Sequence, residues 1–232
     1  MSNSTIEEHG KEDTSYQPPH HTPIMVKEVV ECLQPEAEGT YVDATLGMGG
    51  HARALLKKIG QQGRLLGLDK DKRSLEIAQE NLKEFSHQCD FVHEHFCHLD
   101  RVLKEKHIHQ VDGILLDLGI SSFQLDSQDR GFSFRLDGPL DMRINQESKL
   151  TAFDLVNSLS ENEIARILRD YCQERYHQRI TRHIVKSRSL SMIKTTKDLR
   201  EIIIRSLPRG RKHERIHPAT RSFQALRIAV NR

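Results

Sequence analysis

The chain has 232 residues, 36% of them hydrophobic and 29% charged, with a formal net charge of +2. That length supports one large domain carrying an insertion, and a core that needs neither disulfides nor metal staples. No run approaches the ~18 apolar residues of a membrane span, and the first nineteen residues offer neither an apolar signal core nor the arginines of a transit peptide, so a cytoplasmic protein with no membrane partner is expected.

Residues 1–20 read as a disordered polar tail that ends at Pro18-Pro19. A short amphipathic helix is predicted from Met25 to Leu33, with Val26, Val29, Val30 and Leu33 along one side. Strands and helices then alternate. Tyr41-Val42-Asp43-Ala44 reads as a strand, a glycine-rich turn spans 47–50, and a helix from Ala52 is closed after Ile59 by Gly60. Leu65 to Leu68 make a second strand ending at Asp69. Asp71 is placed to cap a helix carrying Leu75, Ala78, Leu82 and Phe85 at helical spacing. Residues 91–96 form a third strand, a helix follows near 98–106, and Val111 to Leu118 is a fourth strand whose nearly continuous apolar run suggests cover on both faces. Such β-α-β units predict an α/β fold with a parallel sheet. A Gly/Asp/Ser-rich stretch fills 119–150, and only helices follow. Ser160-x-x-Glu163 is a capping box, Arg175 to Arg188 a basic helix, 196–207 a helix stopped by Pro208 and Gly210, and Pro218 opens the last one.

The net charge conceals a segregation. Residues 1–160 hold 17 Lys/Arg against 26 Asp/Glu, whereas residues 161–232 hold 18 against 7. A basic half of this kind suits a polyanion, although solvated helix faces give the same composition. The four cysteines (Cys32, Cys89, Cys97, Cys172) contain no C-x-x-C pair and fit a reducing compartment. Within Cys89 to His98, a strand would bring His93, His95 and Cys97 onto one face. No second ligand pair stands at a matching spacing, so no metal is expected.

Chemistry concentrates where strands end. The first turn reads Asp43-Ala44-Thr45-Leu46-Gly47-Met48-Gly49-Gly50-His51, and its glycines let the backbone pass close to a ligand at a helix start. Asp69 ends the second strand 22 residues beyond Gly47, where a carboxylate can accept both hydroxyls of a ribose. Together they indicate an adenosine-containing cofactor. A dinucleotide wants G-x-G-x-x-G, whereas this turn is G-x-G-G-H followed by Ala52. Asp43 would repel a pyrophosphate and suit a sulfonium or amino group, which favours S-adenosylmethionine over NAD. Asp117 ends the fourth strand at the same crevice, either as a cofactor contact or as an acceptor for the N–H hydrogens of an exocyclic amine being methylated.

The segment Asp117-Leu118-Gly119-Ile120-Ser121-Ser122-Phe123-Gln124-Leu125-Asp126, the run continuing from it to Arg143, and the run His217-Pro218-Ala219-Thr220-Arg221-Ser222-Phe223-Gln224-Ala225-Leu226-Arg227-Ile228 closely resemble the RsmH/MraW family. His21-x-Pro23, the G-x-G-G-H turn and Glu174-Arg175 extend the resemblance over about residues 20–231. It implies a class I S-adenosylmethionine-dependent methyltransferase with a Rossmann-like parallel sheet and an inserted helical domain. The implied substrate is a cytidine N4 in the decoding centre of small-subunit rRNA, either naked or in the assembled subunit, and a homodimer is compatible with it. The resemblance places cofactor contacts on Gly49, Gly50 and His51, on Asp69 at the ribose, on Phe96 against adenine, and on Asp117 and Gln124. Phe96 and Gln124 rest on resemblance alone, and Asp117 is the catalytic candidate. Three departures stand out: Ala52 replaces a usual Ser/Thr, Phe123 sits where Pro is frequent, and Cys172-Gln173 replaces Gly-Glu.

For RNA, Arg175, Arg179, Arg182, Lys186, Arg188 and the Arg209-Gly210-Arg211-Lys212 loop are candidate phosphate contacts, and Phe132 and Phe134 are either base-stacking surfaces or core. The expected organisation is a tail over 1–20, a cofactor-binding part over 21–125, a helical RNA-recognition insertion over 126–216, and a return to the first part over 217–232. Arg232 falls in an apolar helical run without a stop signal, and family members continue with further strands. A truncated chain is therefore expected, with its last strands missing and its fourth strand left as an exposed edge. The alternatives are an NAD-dependent oxidoreductase and a catalytically inactive RNA-binding fragment.

Overall fold

The computed structural model describes residues 23–208 and 216–232, so the N-terminal tail, His21, Gly210 and the Arg209–Lys212 loop lie outside the described residues. After a short helix α1 (Val26–Leu33), the chain alternates β1 (Thr40–Asp43), α2 (Gly50–Ile59), β2 (Arg64–Asp69), α3 (Lys72–Asn81), β3 (Cys89–His93), α4 (Leu99–Glu105) and β4 (Gly113–Leu115). The strands pair in parallel in the order β3-β2-β1-β4, with Tyr41 opposite Leu65 and Val42 opposite both Leu66 and Ile114. Successive side chains on a strand point to opposite faces. Tyr41 and Leu65 accordingly join Leu55, Leu56, Ile59, Leu75 and Leu82 on one face, while Val42, Leu66 and Leu68 join Val102 and Ile108 on the other. The β-α-β reading of the sequence is correct, and the fold is a helix-wound parallel sheet.

Local departures from expectation have physical causes. Helix α2 starts at Gly50 rather than Ala52, because Gly49 takes the left-handed conformation (φ 83°) and itself caps the helix. Asp71 is the residue before α3, but its side chain makes no capping bond. The carboxylate turns instead to Gln124 and Arg130. Strand β3 ends at His93, so His95 and Cys97 lie past the pleat and share no strand face with it. The His95 ring caps the short 3₁₀ turn at 96–98 by accepting from the Cys97 N–H. Among the described residues no group of three or more His, Cys, Asp or Glu could hold a metal ion, and no helix is long and apolar enough to cross a membrane.

The fourth strand lacks the cover on both faces that its apolar run suggests and is instead the exposed edge that the sequence also predicts. It has three residues, pairs only with β1 among the described strands, and leaves Ile114, Leu116 and Leu118 at 43%, 48% and 66% exposure. An apolar run signals burial only when something covers it, and β4 is the sheet's edge.

From Ser122 the described chain is helical: α5 (Ser122–Asp126), α6 (Ala152–Ser158), α7 (Glu161–Cys172), α8 (His177–Arg188), α9 (Thr196–Ser206) and α10 (Thr220–Val230). Capping boxes open α5, α6, α7 and α9, in which Ser121, Thr151, Ser160 and Thr195 each exchange bonds with the residue three positions on. A separate core forms here from Phe132, Leu140, Met142, Leu155, Ile164, Ile180, Leu199, Phe223 and Leu226 among others, and α10 lies within it. The end of α10 also reaches the sheet: Lys70 Nζ, just past β2, donates to the Asn231 carbonyl at 2.6 Å, and the Asn231 amide bonds Ile144 N and Met142 O at 2.7 Å each.

Candidate functional site

The site is built at the carboxyl ends of the parallel strands, where the chain leaves β1, β2 and β4 for the next element. A ligand crevice is expected there in a wound sheet. The turn after β1 is shaped by two left-handed glycines, Gly47 (φ 54°) and Gly49 (φ 83°). A Cβ added at Gly47 would meet nothing nearer than the Thr45 carbonyl at 4.0 Å, so this turn faces open space. A Cβ at Gly50 would lie 2.7 Å from Pro23 Cγ, so glycine is needed for the N-terminal segment to pack against the start of α2.

Asp69 ties the turn to β2. Its Oδ2 accepts the Gly47 N–H at 2.7 Å and its Oδ1 the Asp71 N–H at 2.8 Å. Each oxygen keeps a second lone pair for an incoming hydroxyl. Burial raises the Asp69 carboxyl above its usual range, against the pull of these two N–H groups. Asp43 lies deeper, fully enclosed, and accepts the Thr45 N–H at 3.2 Å. Burial first, and the charges of Asp69 and Asp117 next, push its carboxyl up to about 7, against the Thr45 N–H. Asp117 is the exposed member of this acidic trio, with 61% of its side chain open, and His51 Nε2 lies 3.9 Å from its Oδ2.

The structure thus gathers Gly49, Gly50, His51, Asp69 and Asp117 at one mouth. Phe96 follows β3 with its ring 4.3 Å from His95 and partly exposed. Gln124 is buried in α5, with its Oε1 accepting the Ser121 N–H at 3.2 Å and its Nε2 donating to Asp71 Oδ2 at 2.9 Å. Sequence reasoning missed the network behind it. Arg130 makes a buried ion pair with Asp71 at 2.6 Å and donates to the Arg143 and Ile144 carbonyls at 2.8 and 2.7 Å. No local pattern links residues 59 positions apart. Arg73 reinforces the same junction, with its guanidinium 5.0 Å over the Phe123 ring and 3.6 Å from Asp129.

On the RNA face the structure decides one open reading and corrects another. Phe132 is fully buried in the helical core, and Phe134 is packed against His217 at 4.4 Å and Phe223 at 5.4 Å. Phe132 is therefore core and Phe134 packs against that core, so the core alternative holds for both. Arg188 spends its guanidinium on the Val156 and Leu159 carbonyls at 2.7 and 2.6 Å, which makes it a tether between helices. Helix α8 starts at His177 rather than Arg175; Arg175 just before it and Arg179, Arg182 and Lys186 along it are exposed.

The profile of the MraW methylase family matches residues 18–232. The chain is 48% identical over 213 residues to the ribosomal RNA small subunit methyltransferase H of Heliobacterium modesticaldum, covering 91% of this chain and 68% of that protein. To the protein of the same description from Geobacter sulfurreducens it is 51% identical over 211 residues, again covering 91% and 68%. With the sheet mouth and its acidic trio, these matches settle the kinship: the chain belongs to the MraW methylase family.

Proposed function

We propose that this methyltransferase moves the methyl group of S-adenosylmethionine onto the N4 amine of a decoding-centre cytidine in small-subunit rRNA, in the cytoplasm. Family membership rules out the NAD-dependent oxidoreductase alternative. The observation that carries the proposal is the convergence of an open glycine turn, a strand-end carboxylate and an exposed carboxylate on one crevice.

The residues present fit the cofactor. The carboxylates of Asp69 and Asp117 at the mouth favour a cation, and the open face at Gly47 leaves room beside Asp69. Bound there, S-adenosylmethionine supplies a methyl group on a positively charged sulfur. Gly49, Gly50 and His51 line its approach, Asp69 accepts the ribose hydroxyls, Phe96 offers a ring to the adenine, and Gln124 holds α5 in place beneath it. Asp117 accepts the N–H hydrogens of the cytosine amine. That turns the nitrogen lone pair, otherwise delocalised into the ring, toward the methyl group, and the carboxylate can then take the released proton. The substrate class is supported by the relatives' description and by the exposed arginines of α8.

Two measurements test this reading. Labelled methyl transfer to unmodified small subunits should yield N4-methylcytidine, and Asp117→Ala should slow it about a hundredfold; no transfer by the wild type, or methyl on another base, overturns the proposal. RNA affinity should fall steeply with salt, in proportion to the phosphates neutralised, and weaken further in an Arg179→Ala/Arg182→Ala variant. A salt-independent affinity removes the role given to the basic half.

A further inference from the structure

We infer that Thr45 is a positioning residue for the methyl transfer: its hydroxyl holds the backbone of Asp117 and so sets the angle at which that carboxylate meets the substrate amine. The inference rests on the role proposed above for Asp117, and it follows from how the β1–β4 ladder ends.

The last backbone rung between the two strands is Ala44 N–H to the Leu115 carbonyl, at 3.0 Å. Beyond it the two chains part. Leu46 N–H points the other way, to the Leu68 carbonyl of β2 at 2.9 Å, and Thr45 N–H is taken by the buried Asp43 carboxylate at 3.2 Å. The Asp117 N–H finds its acceptor not in a backbone carbonyl of the turn but in a side chain. The Thr45 side chain supplies the missing rung, its Oγ1 accepting the Asp117 N–H at 2.7 Å.

The surroundings make this one bond matter. Asp117 is exposed, Leu116 and Leu118 on either side of it are exposed, and β4 is an edge strand among the described residues. Thr45 is itself clamped, because Asp43, behind it, is fixed in the core. The sequence Asp43-x-Thr45 therefore connects a buried carboxylate to an exposed one. Without the hydroxyl, the strand end carrying Asp117 samples orientations in which its oxygens do not face the amine. Chemistry then slows while cofactor affinity is kept, since Gly47 and Asp69 are held by their own bond.

The test compares Thr45→Val, which keeps the branched shape and removes the hydroxyl, with Thr45→Ser, which keeps the hydroxyl. On the full chain with unmodified small subunits, Thr45→Val is expected to lower kcat at least tenfold. Its Kd for S-adenosylmethionine and its KM for the subunit should stay within threefold, and Thr45→Ser should recover kcat to within threefold of wild type. Adding Thr45→Val to Asp117→Ala should cost nothing further, because no carboxylate remains to be aimed. The inference is overturned if Thr45→Val keeps kcat within twofold, if Ser and Val are equally impaired, if the loss falls on Kd alone, or if the losses add in the double variant. If Asp117→Ala itself keeps the wild-type rate, the role of Asp117 fails first and this inference fails with it. If Asp117→Ala is impaired and Thr45→Val keeps the wild-type rate, only this inference fails.

Discussion

Replacing Arg130 by methionine is expected to destabilise the protein by about 3–5 kcal/mol, the usual cost of leaving one charge of a buried pair uncompensated. Arg130 and Asp71 have side chains only 5% and 2% exposed, and their 2.6 Å contact is supported by Gln124 on the carboxylate and two carbonyls on the guanidinium. With the arginine gone, Asp71 keeps a single amide donor in a dry setting, the Ile144 carbonyl loses the Arg130 donor, and the Arg143 carbonyl keeps only Gln146 Nε2. Asp71→Ala should be similarly costly from the other side. Replacing both, as Asp71→Leu/Arg130→Met, should recover more than half of the loss, because well-packed apolar groups often match a buried pair. Urea unfolding of the two single variants and the double variant checks this. A single-variant cost below 1 kcal/mol would mean that the pair is solvated or dispensable.

Asp43 gives the second large effect, and it is read by pH. The folded state holds its carboxyl up to about 7 against 3.8 in an ordinary setting, chiefly through burial. Between those values the native protein keeps a proton that the unfolded chain releases. The unfolded state then binds fewer protons, so stability falls as pH rises from about 4 through about 7 and levels off above. A shift of this size corresponds to about 4 kcal/mol at most. Asp43→Asn keeps an oxygen for the Thr45 N–H and removes the ionisation, so it should flatten the decline and be the more stable protein at pH 8. His95 and His217, whose imidazoles burial pushes below the usual range, contribute a slope of opposite sign in the same window. They do so in both proteins, and the difference between the two profiles isolates Asp43. Parallel profiles from pH 4 to 8 would show that Asp43 is ionised throughout.

Much of this was legible in the sequence because the signals are local. Short apolar runs and helical spacing marked the sheet and its helices, and glycines marked the turn. Strand-end carboxylates followed from where the strands stop, and Asp69 and Asp117 are found at that mouth. What the sequence could not show depends on neighbours far along the chain. Asp71 has the chemistry of a helix cap, but Arg130 competes for the same carboxylate with a full charge. Phe132 has the chemistry of a base platform, but the helical core encloses it. In each case one residue had two acceptable uses, and tertiary contacts selected one.

The sheet and the helices keep separate interiors, joined at the Asp71–Gln124–Arg130 junction and the Lys70–Asn231 bond. Amide hydrogens in the two parts need not exchange with solvent through one common opening. Two groups of amides with distinct opening free energies are expected, one centred on β1 and β2 and the other on α7 and α10. A small ligand bound at the sheet mouth should slow exchange in the first group by mass action and leave the second nearly unchanged. A guest that spans the junction should slow both at once, so exchange rates distinguish a filled crevice from an engaged RNA without any measurement of turnover.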